Sequence, residues 1–249
     1  MRRKPPEPYS SRLQTDKDPI MTDLAIPAAQ SLQATVDAIS AEFAHANRVL
    51  KDTRTLSATN TFQAIVRVPG AEQLVVLSAP DPFSPDQAVK AGVLGFDGKV
   101  VQGPGRAAVG GGRYIEVFRQ RPEVHAVIHV HTPYLGAWAG THRVLPIRYA
   151  PAQRFTRIRE LPNYIDRRPS EASFILDRLA EDAGHFAILE ANGGATFWGT
   201  SVTEVSKNIL LFEEAAYFTA LAETIGGSRE FGPGVLEQQW KLAQAIRGG

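Results

Sequence analysis

His129-Val130-His131 closes an apolar run, Ala126-Val127-Ile128, and is followed at once by Thr132-Pro133. An extended strand turns residues i and i+2 to the same face. Two imidazoles at that spacing can converge on one ion where the strand ends over a cavity. Neutral imidazole suits zinc, iron, cobalt or nickel, and tetrahedral zinc needs further ligands. The chain has no cysteine, so those ligands must be His, Asp, Glu, Tyr or water. His142, in the Gly140–Arg143 loop, and His185, just ahead of an apolar run, are candidates for a third nitrogen. Glu190, ending the Ile188-Leu189 run, is the candidate carboxylate. Two histidines with one carboxylate is the donor set of non-haem Fe(II) sites. The alternative is that His129 and His131 only cap the strand by hydrogen bonding. His125 continues the same face and can act behind it, whereas His45 falls on a helix as a surface or packing residue.

The elements that must hold these residues follow from periodicity. Leu32, Val36, Ile39 and Phe43 recur at helical spacing after Pro27. Phe62, Ala64 and Val66 alternate as a strand before the Pro69-Gly70 turn, and Leu74–Leu77 makes a second. Residues 89–96 stay unassigned between strand and helix. Asp97-Gly98 is a turn signal that makes Lys99–Gln102 a hairpin return. Gly103 to Gly112 reads as a flexible loop, followed by a helix burying Tyr114, Val117 and Phe118. Thr132-Pro133 opens the next helix. Ser170 caps a helix running to Ala183. Phe186–Leu189 and Ala195–Trp198 read as strands around the Asn192-Gly193-Gly194 turn. A long helix over 202–225 ends at Gly226-Gly227, and a short one covers 235–246.

With 249 residues, 43% of them apolar, one α/β domain over residues 25–249 is the simplest organisation. Residues 1–24, rich in proline, serine and charge, read as a flexible tail or an arm across a neighbouring subunit. Lys plus Arg is 27 and Asp plus Glu is 26, so the formal net charge is +1. That balance gives no attraction to nucleic acid or a membrane. No apolar stretch has membrane-spanning length, and the basic N-terminus lacks the apolar core of a secretory signal. A soluble, cytoplasmic protein is expected, and the lack of cysteine excludes disulfides and thiolate-bound metal.

The block Arg121–Pro133 resembles the class II aldolase/adducin family, and the resemblance extends over roughly residues 28 to 225. Leu189–Gly199 is similar to the family segment around its third histidine, and Glu214 falls where the final family helix often carries a glutamate. The resemblance implies a three-layer α/β fold with a central, mostly antiparallel sheet flanked by helices. It implies a homo-oligomer, with a tetramer favoured, and sites at subunit boundaries. Active members form or cleave carbon–carbon bonds in sugar phosphates, epimerise, dehydrate or decarboxylate, and the adducin branch is structural. His129 and His131 match two of the three family metal ligands, which implies a divalent metal, zinc foremost and Fe(II) as alternative. The third ligand position is Gly193. The family's acid/base glutamate, nineteen residues before the first histidine (129 − 110 = 19), is Gly110. The phosphate-binding residues correspond to Ala108-Val109 and to Thr55-Leu56-Ser57, which keeps only Ser57.

A retro-aldol step needs a proton-transfer group and a Lewis acid for the developing enediolate. With the glutamate replaced and the phosphate cradle thinned, sugar-phosphate cleavage does not fit. Arg113, Arg148 and Tyr149 are the candidate catalytic residues: the arginines for carboxylate recognition, and the tyrosine because it falls near a family proton donor. Phe83, Phe155 and Trp240 are candidate pocket walls. The Arg154–Arg159 run reads as a solvated face. The expectation is a divergent metal-dependent lyase, decarboxylase or aldolase-like, acting on a small non-phosphorylated carboxylic or keto acid. The alternatives are a non-catalytic scaffold, a metal-free enzyme using the same pocket, and a non-haem iron oxygenase.

Overall fold

Ser31 opens the first helix by accepting a hydrogen bond from Ala34 N at 3.2 Å. In the computed structural model, residues 31–104 and 110–247 are described. The 1–24 tail, residues 25–30 and part of the glycine loop lie outside the described residues. Helix α1 (Leu32–Asp52) buries Val36, Phe43, Ala46 and Leu50 along one stripe. Strands β1 (Phe62–Arg67), β2 (Gln73–Ser78), β3 (Lys90–Gly95) and β4 (Val100–Gln102) follow as an antiparallel meander.

Gly110–Tyr114 winds into a 3-10 turn instead of remaining a loop. Gly111 explains this: a methyl there would lie 2.4 Å from Val76 Cγ2, so only glycine lets the turn sit flat on β2. Then come α2 (Ile115–Gln120), β5 (Ala126–Val130), α3 (Pro133–Gly140), β6 (Leu145–Pro146), α4 (Ala150–Phe155), β7 (Glu160–Leu161) and β8 (Asn163–Tyr164). The chain finishes with α5 (Glu171–Glu181), β9 (Ala187–Glu190), β10 (Ala195–Gly199), α6 (Val202–Glu223) and α7 (Pro233–Arg247). The residues left unassigned at 89–96 form β3, whose buried half is only Gly92–Gly95 and therefore short on periodicity.

Eight strands make one sheet in the order β4-β3-β2-β1-β5-β10-β9-β8, antiparallel except for the β8–β9 pair. Strands β6 and β7 pair separately. One face of the large sheet packs on α1, α3, α4 and α6 through Phe43, Phe62, Phe197 and Phe212. Ile65, Val76, Val127 and Ile188 on the other face meet Tyr114, Phe118, Ile175 and Leu179 of the 3-10 turn, α2 and α5. This is the three-layer, mostly antiparallel α/β arrangement that the resemblance implies. Strand β5 lies at its centre, between β1 and β10. No helix among the described residues is long and apolar enough to cross a membrane.

Candidate active site

The sheet register sets the site. His129 of β5 lies opposite Gln63 of β1 on one side and Thr196 of β10 on the other. Directly paired residues project from the same face. Thr196 in turn pairs with Ile188, so Glu190, two residues further along β9, shares that face. The side chains meet accordingly. His129 Nδ1 lies 2.6 Å from Glu190 Oε1 and 3.3 Å from Thr196 Oγ1. Thr196 donates to the same Glu190 oxygen at 2.6 Å. From the helical layer, the Tyr114 hydroxyl donates to Glu171 Oε1 at 2.7 Å and lies 3.2 Å from Thr196 Oγ1. A continuous hydrogen-bonded network thus joins Glu171, Tyr114, Thr196, Glu190 and His129.

Two carboxylates share this buried network, and their surroundings push them apart. Burial pushes Glu171 up and the nearby charge of Glu190 adds to it, against bonds from Tyr114 and Thr196. Burial alone would raise Glu190 too, but the bond and charge of His129, the Thr196 hydroxyl and Arg113 pull it down to about 2. Glu190 is therefore the ionised member and Glu171 the one that keeps a proton longer. Burial, then Glu171, pushes the Tyr114 phenol well up, so it stays a donor. His131 is lowered by burial and then by the adjacent His129.

Two guanidinium groups flank the carboxylates. Arg113 Nη1 stands 4.0 Å from Glu171 Oε2, and its Nη2 donates to Gln63 Oε1 at 3.3 Å. Arg167 Nη1 stands 3.8 Å from Glu190 Oε2, and its Nη2 donates to the Ala191 carbonyl at 2.9 Å. Two glycines border the network. A methyl on Gly110 would lie 2.5 Å from Gln63 Nε2, and one on Gly193 would lie 3.4 Å from Arg167 Nη2. Gly194 brings its turn against the histidine strand: a methyl there would lie 2.0 Å from the Val130 carbonyl and 2.5 Å from His131 Cδ2.

The His129 and His131 rings stand edge to face with centroids 5.1 Å apart, close enough to share an ion. A carboxylate on Nδ1, as Glu190 provides, is a common support behind a metal-bound imidazole. Yet no group of three His, Cys, Asp or Glu side chains among the described residues is placed to hold an ion. Glu190 Oε1 is already shared by His129 and Thr196. Two imidazoles without a third protein ligand do not fit the zinc or facial-triad pattern.

Of the candidate catalytic residues, Arg113 joins the network. Arg148 lies by Glu230, at 3.5 Å, and Tyr149 packs on Phe218 of α6 with ring centroids 5.0 Å apart. Burial and a bond to Glu214 raise the Tyr149 phenol. Both therefore belong to surroundings other than the histidine network in this chain. His142 reaches Asn192, 2.9 Å away, and His45 meets Arg48. His125 is exposed, and His185 Nδ1 is buried with no hydrogen-bond partner among the described residues. Phe83 is exposed, Phe155 packs with Phe186 and Phe212, and Trp240 donates to the Gln153 carbonyl. In the arginine run, Arg154 and Arg157 are exposed, with Arg157 over the Trp240 ring, while half-buried Arg159 lies over the same ring and pairs with Glu230 at 2.7 Å.

Glu171, Arg167, Thr196 and Gln63 enter the site without a sequence motif to mark them. Only Thr196 left a signal, a hydroxyl inside an otherwise apolar strand.

The model of the class II aldolase and adducin N-terminal domain matches residues 41–219. No curated protein matches the sequence. Several solved structures share the fold. An aldolase II superfamily protein from Pseudomonas syringae is 18% identical with a TM-score of 0.68, over 86% of this chain and 87% of that one. L-fuculose 1-phosphate aldolase from Glaciozyma antarctica PI12 is 18% identical at a TM-score of 0.64, over 84% of each chain. YgbL from Escherichia coli is 19% identical at 0.61, over 82% of this chain and 99% of that one. With the family match spanning most of the domain that carries the His129 network, this chain belongs to the class II aldolase and adducin family.

Proposed function

We propose that the chain is an enzyme of lyase type acting on a small, non-phosphorylated carboxylic or keto acid, with His129 as its proton-transfer group. The observation that carries this reading is the 2.6 Å contact between His129 Nδ1 and Glu190 Oε1. A buried carboxylate on Nδ1 fixes the ring and stabilises the imidazolium that forms when Nε2 takes a proton. Nε2 is then the nitrogen left for substrate. In a retro-aldol step it removes the hydroxyl proton; in an enolisation it removes the proton next to the carbonyl.

Arg113 supplies positive charge for the carboxylate or the developing enolate. Its neighbours favour a single negative charge: ionised Glu190 already stands on this face, and a phosphate dianion would oppose it. Glu171 closes the network behind Thr196, accepting from the Tyr114 hydroxyl. A homo-oligomer is part of the proposal, supported by the exposed Phe218, Leu221 and Ile225 at the end of α6.

The test is a panel of small 2-keto, 3-keto and 3-hydroxy acids followed by proton NMR in deuterated buffer. Wild type is expected to cleave at least one acid or exchange its α-proton. His129→Gln is expected to slow that reaction by about 10²–10⁴-fold. A panel on which wild type and His129→Gln behave alike would overturn the assignment.

A further inference from the structure

We infer that Arg167 and Arg113 together form the cationic half of the site and hold a substrate carboxylate where the two histidines would otherwise face a metal ion. The inference rests on the acid–base reading of His129 and Glu190, and it names the group that anchors the substrate.

Arg167 is held from three sides. Its Nη2 donates to the Ala191 carbonyl, its Nη1 faces Glu190 Oε2, and its guanidinium lies over the Tyr164 ring at 5.5 Å. The side chain is still 51% exposed. A guanidinium has five N–H donors, so several remain for a ligand. Gly193 lies beside it: a methyl there would come to 3.4 Å from Nη2, ordinary van der Waals contact. Arg113 is fixed in a similar way, over the Tyr114 ring at 4.7 Å and against Gln63 and Glu171, with 39% of its side chain exposed.

One carboxylate, that of Glu190, spans His129 at one oxygen and Arg167 at the other. A divalent cation brought to the imidazoles would find two nitrogen donors and no third protein ligand among the described residues. An incoming carboxylate finds planar, preoriented donors that match its two oxygens. The ligand class is a small monocarboxylate with a carbonyl or hydroxyl on the adjacent carbon, which places the reacting group toward His129.

Oxamate, an inert mimic of a 2-keto acid, is the probe. Its affinity would be measured by calorimetry for wild type, Arg167→Met, Arg167→Lys and His129→Gln, with the thermal midpoint of each recorded. Zinc uptake by wild type would be measured by equilibrium dialysis. The expected result is oxamate binding that weakens at least about tenfold in Arg167→Met, with part recovered in Arg167→Lys. Wild type is expected to take up no stoichiometric zinc. Should Arg167→Met unfold, Arg167→Lys carries the comparison, because it keeps the charge and loses the fork. Equal affinity across the arginine variants, no oxamate binding by wild type, or near-equimolar zinc lost in His129→Ala/His131→Ala would each overturn the inference. Arginine-dependent oxamate binding without turnover of any acid would instead leave this inference standing and remove the acid–base reading.

Discussion

At the scale of single residues, Thr196 decides the shape of the site. Its buried hydroxyl lies within hydrogen-bonding reach of Glu190, Tyr114 and His129 at once, so it sets which carboxylate oxygen faces the imidazole. The two carboxylates it stands between carry opposite pH dependences. Glu171 has a raised folded value, so it binds its proton more tightly in the folded than in the unfolded chain. Its contribution is complete below the ordinary 4.5 and is lost as pH rises through the raised value. Glu190 is held down to about 2, so its contribution is present above 4.5 and is lost as pH falls toward 2. Denaturant unfolding of wild type and Glu171→Gln across this range checks the first sign. Wild type is expected to lose stability relative to Glu171→Gln as pH rises from 4 toward neutrality, over a window of about one to two pH units. A difference that stays flat or runs the other way counts against the assignment.

At the scale of elements, the sharpest feature is the start of α3. Thr132 precedes it but makes no capping bond to the helix backbone. Instead Glu213, buried on α6, accepts from Tyr134 N at 2.8 Å, Leu135 N at 2.9 Å and the Thr132 hydroxyl at 2.6 Å. A carboxylate at a helix N-terminus satisfies free N–H groups and meets the positive end of the dipole. It locks α6 to the segment that directly follows the two histidines. Glu213→Ala is therefore expected to destabilise the fold by about 2–3 kcal/mol, measured by urea unfolding, because it leaves those donors buried and unpaired. A loss below about 0.5 kcal/mol would show the cap to be incidental.

These elements also show what the sequence made legible. Strands β1, β5 and β10 were readable because a buried central sheet demands apolar, β-branched runs. The 3-10 turn was not, because three glycines in a row read locally as a loop, and the contact that requires Gly111 comes from β2. The sequence pointed to Glu214 on the last long helix. The inward residue is its neighbour Glu213, one helical step of about 100° away, and only packing against α3 distinguishes them. His129 with Glu190 was visible as a pair of possible donors. Arg167 and Glu171 were not, since a charged residue in an Asp-Arg-Arg-Pro loop or at a helix start has the pattern of ordinary surface. Their roles depend on tertiary approach to the sheet.

At the scale of the whole molecule, the fold is shared with the solved structures named above at under 20% identity. The sheet positions whatever stands at 63, 129, 190 and 196, so replacing a ligand or a base leaves the layers unchanged. Toward the end of α6, Tyr217 and Phe218 stack with Tyr134 of α3 and Tyr149 ahead of α4, and Leu221 and the 86%-exposed Ile225 follow in the chain. Light scattering on the full chain is expected to show an oligomer, and Leu221→Asp/Ile225→Asp to lower its mass with the circular dichroism spectrum retained. A monomeric wild type would contradict that expectation.

The central claim is that His129, backed by Glu190, moves a proton on a small acid. The most direct measurement is α-proton exchange on the best acid of the panel, in chelator-treated deuterated buffer, for wild type and Glu190→Gln. The account predicts measurable exchange by wild type without added metal and a fall of about 10²-fold or more in Glu190→Gln. Exchange that appears only when zinc or iron is restored, or that survives Glu190→Gln unchanged, would contradict it.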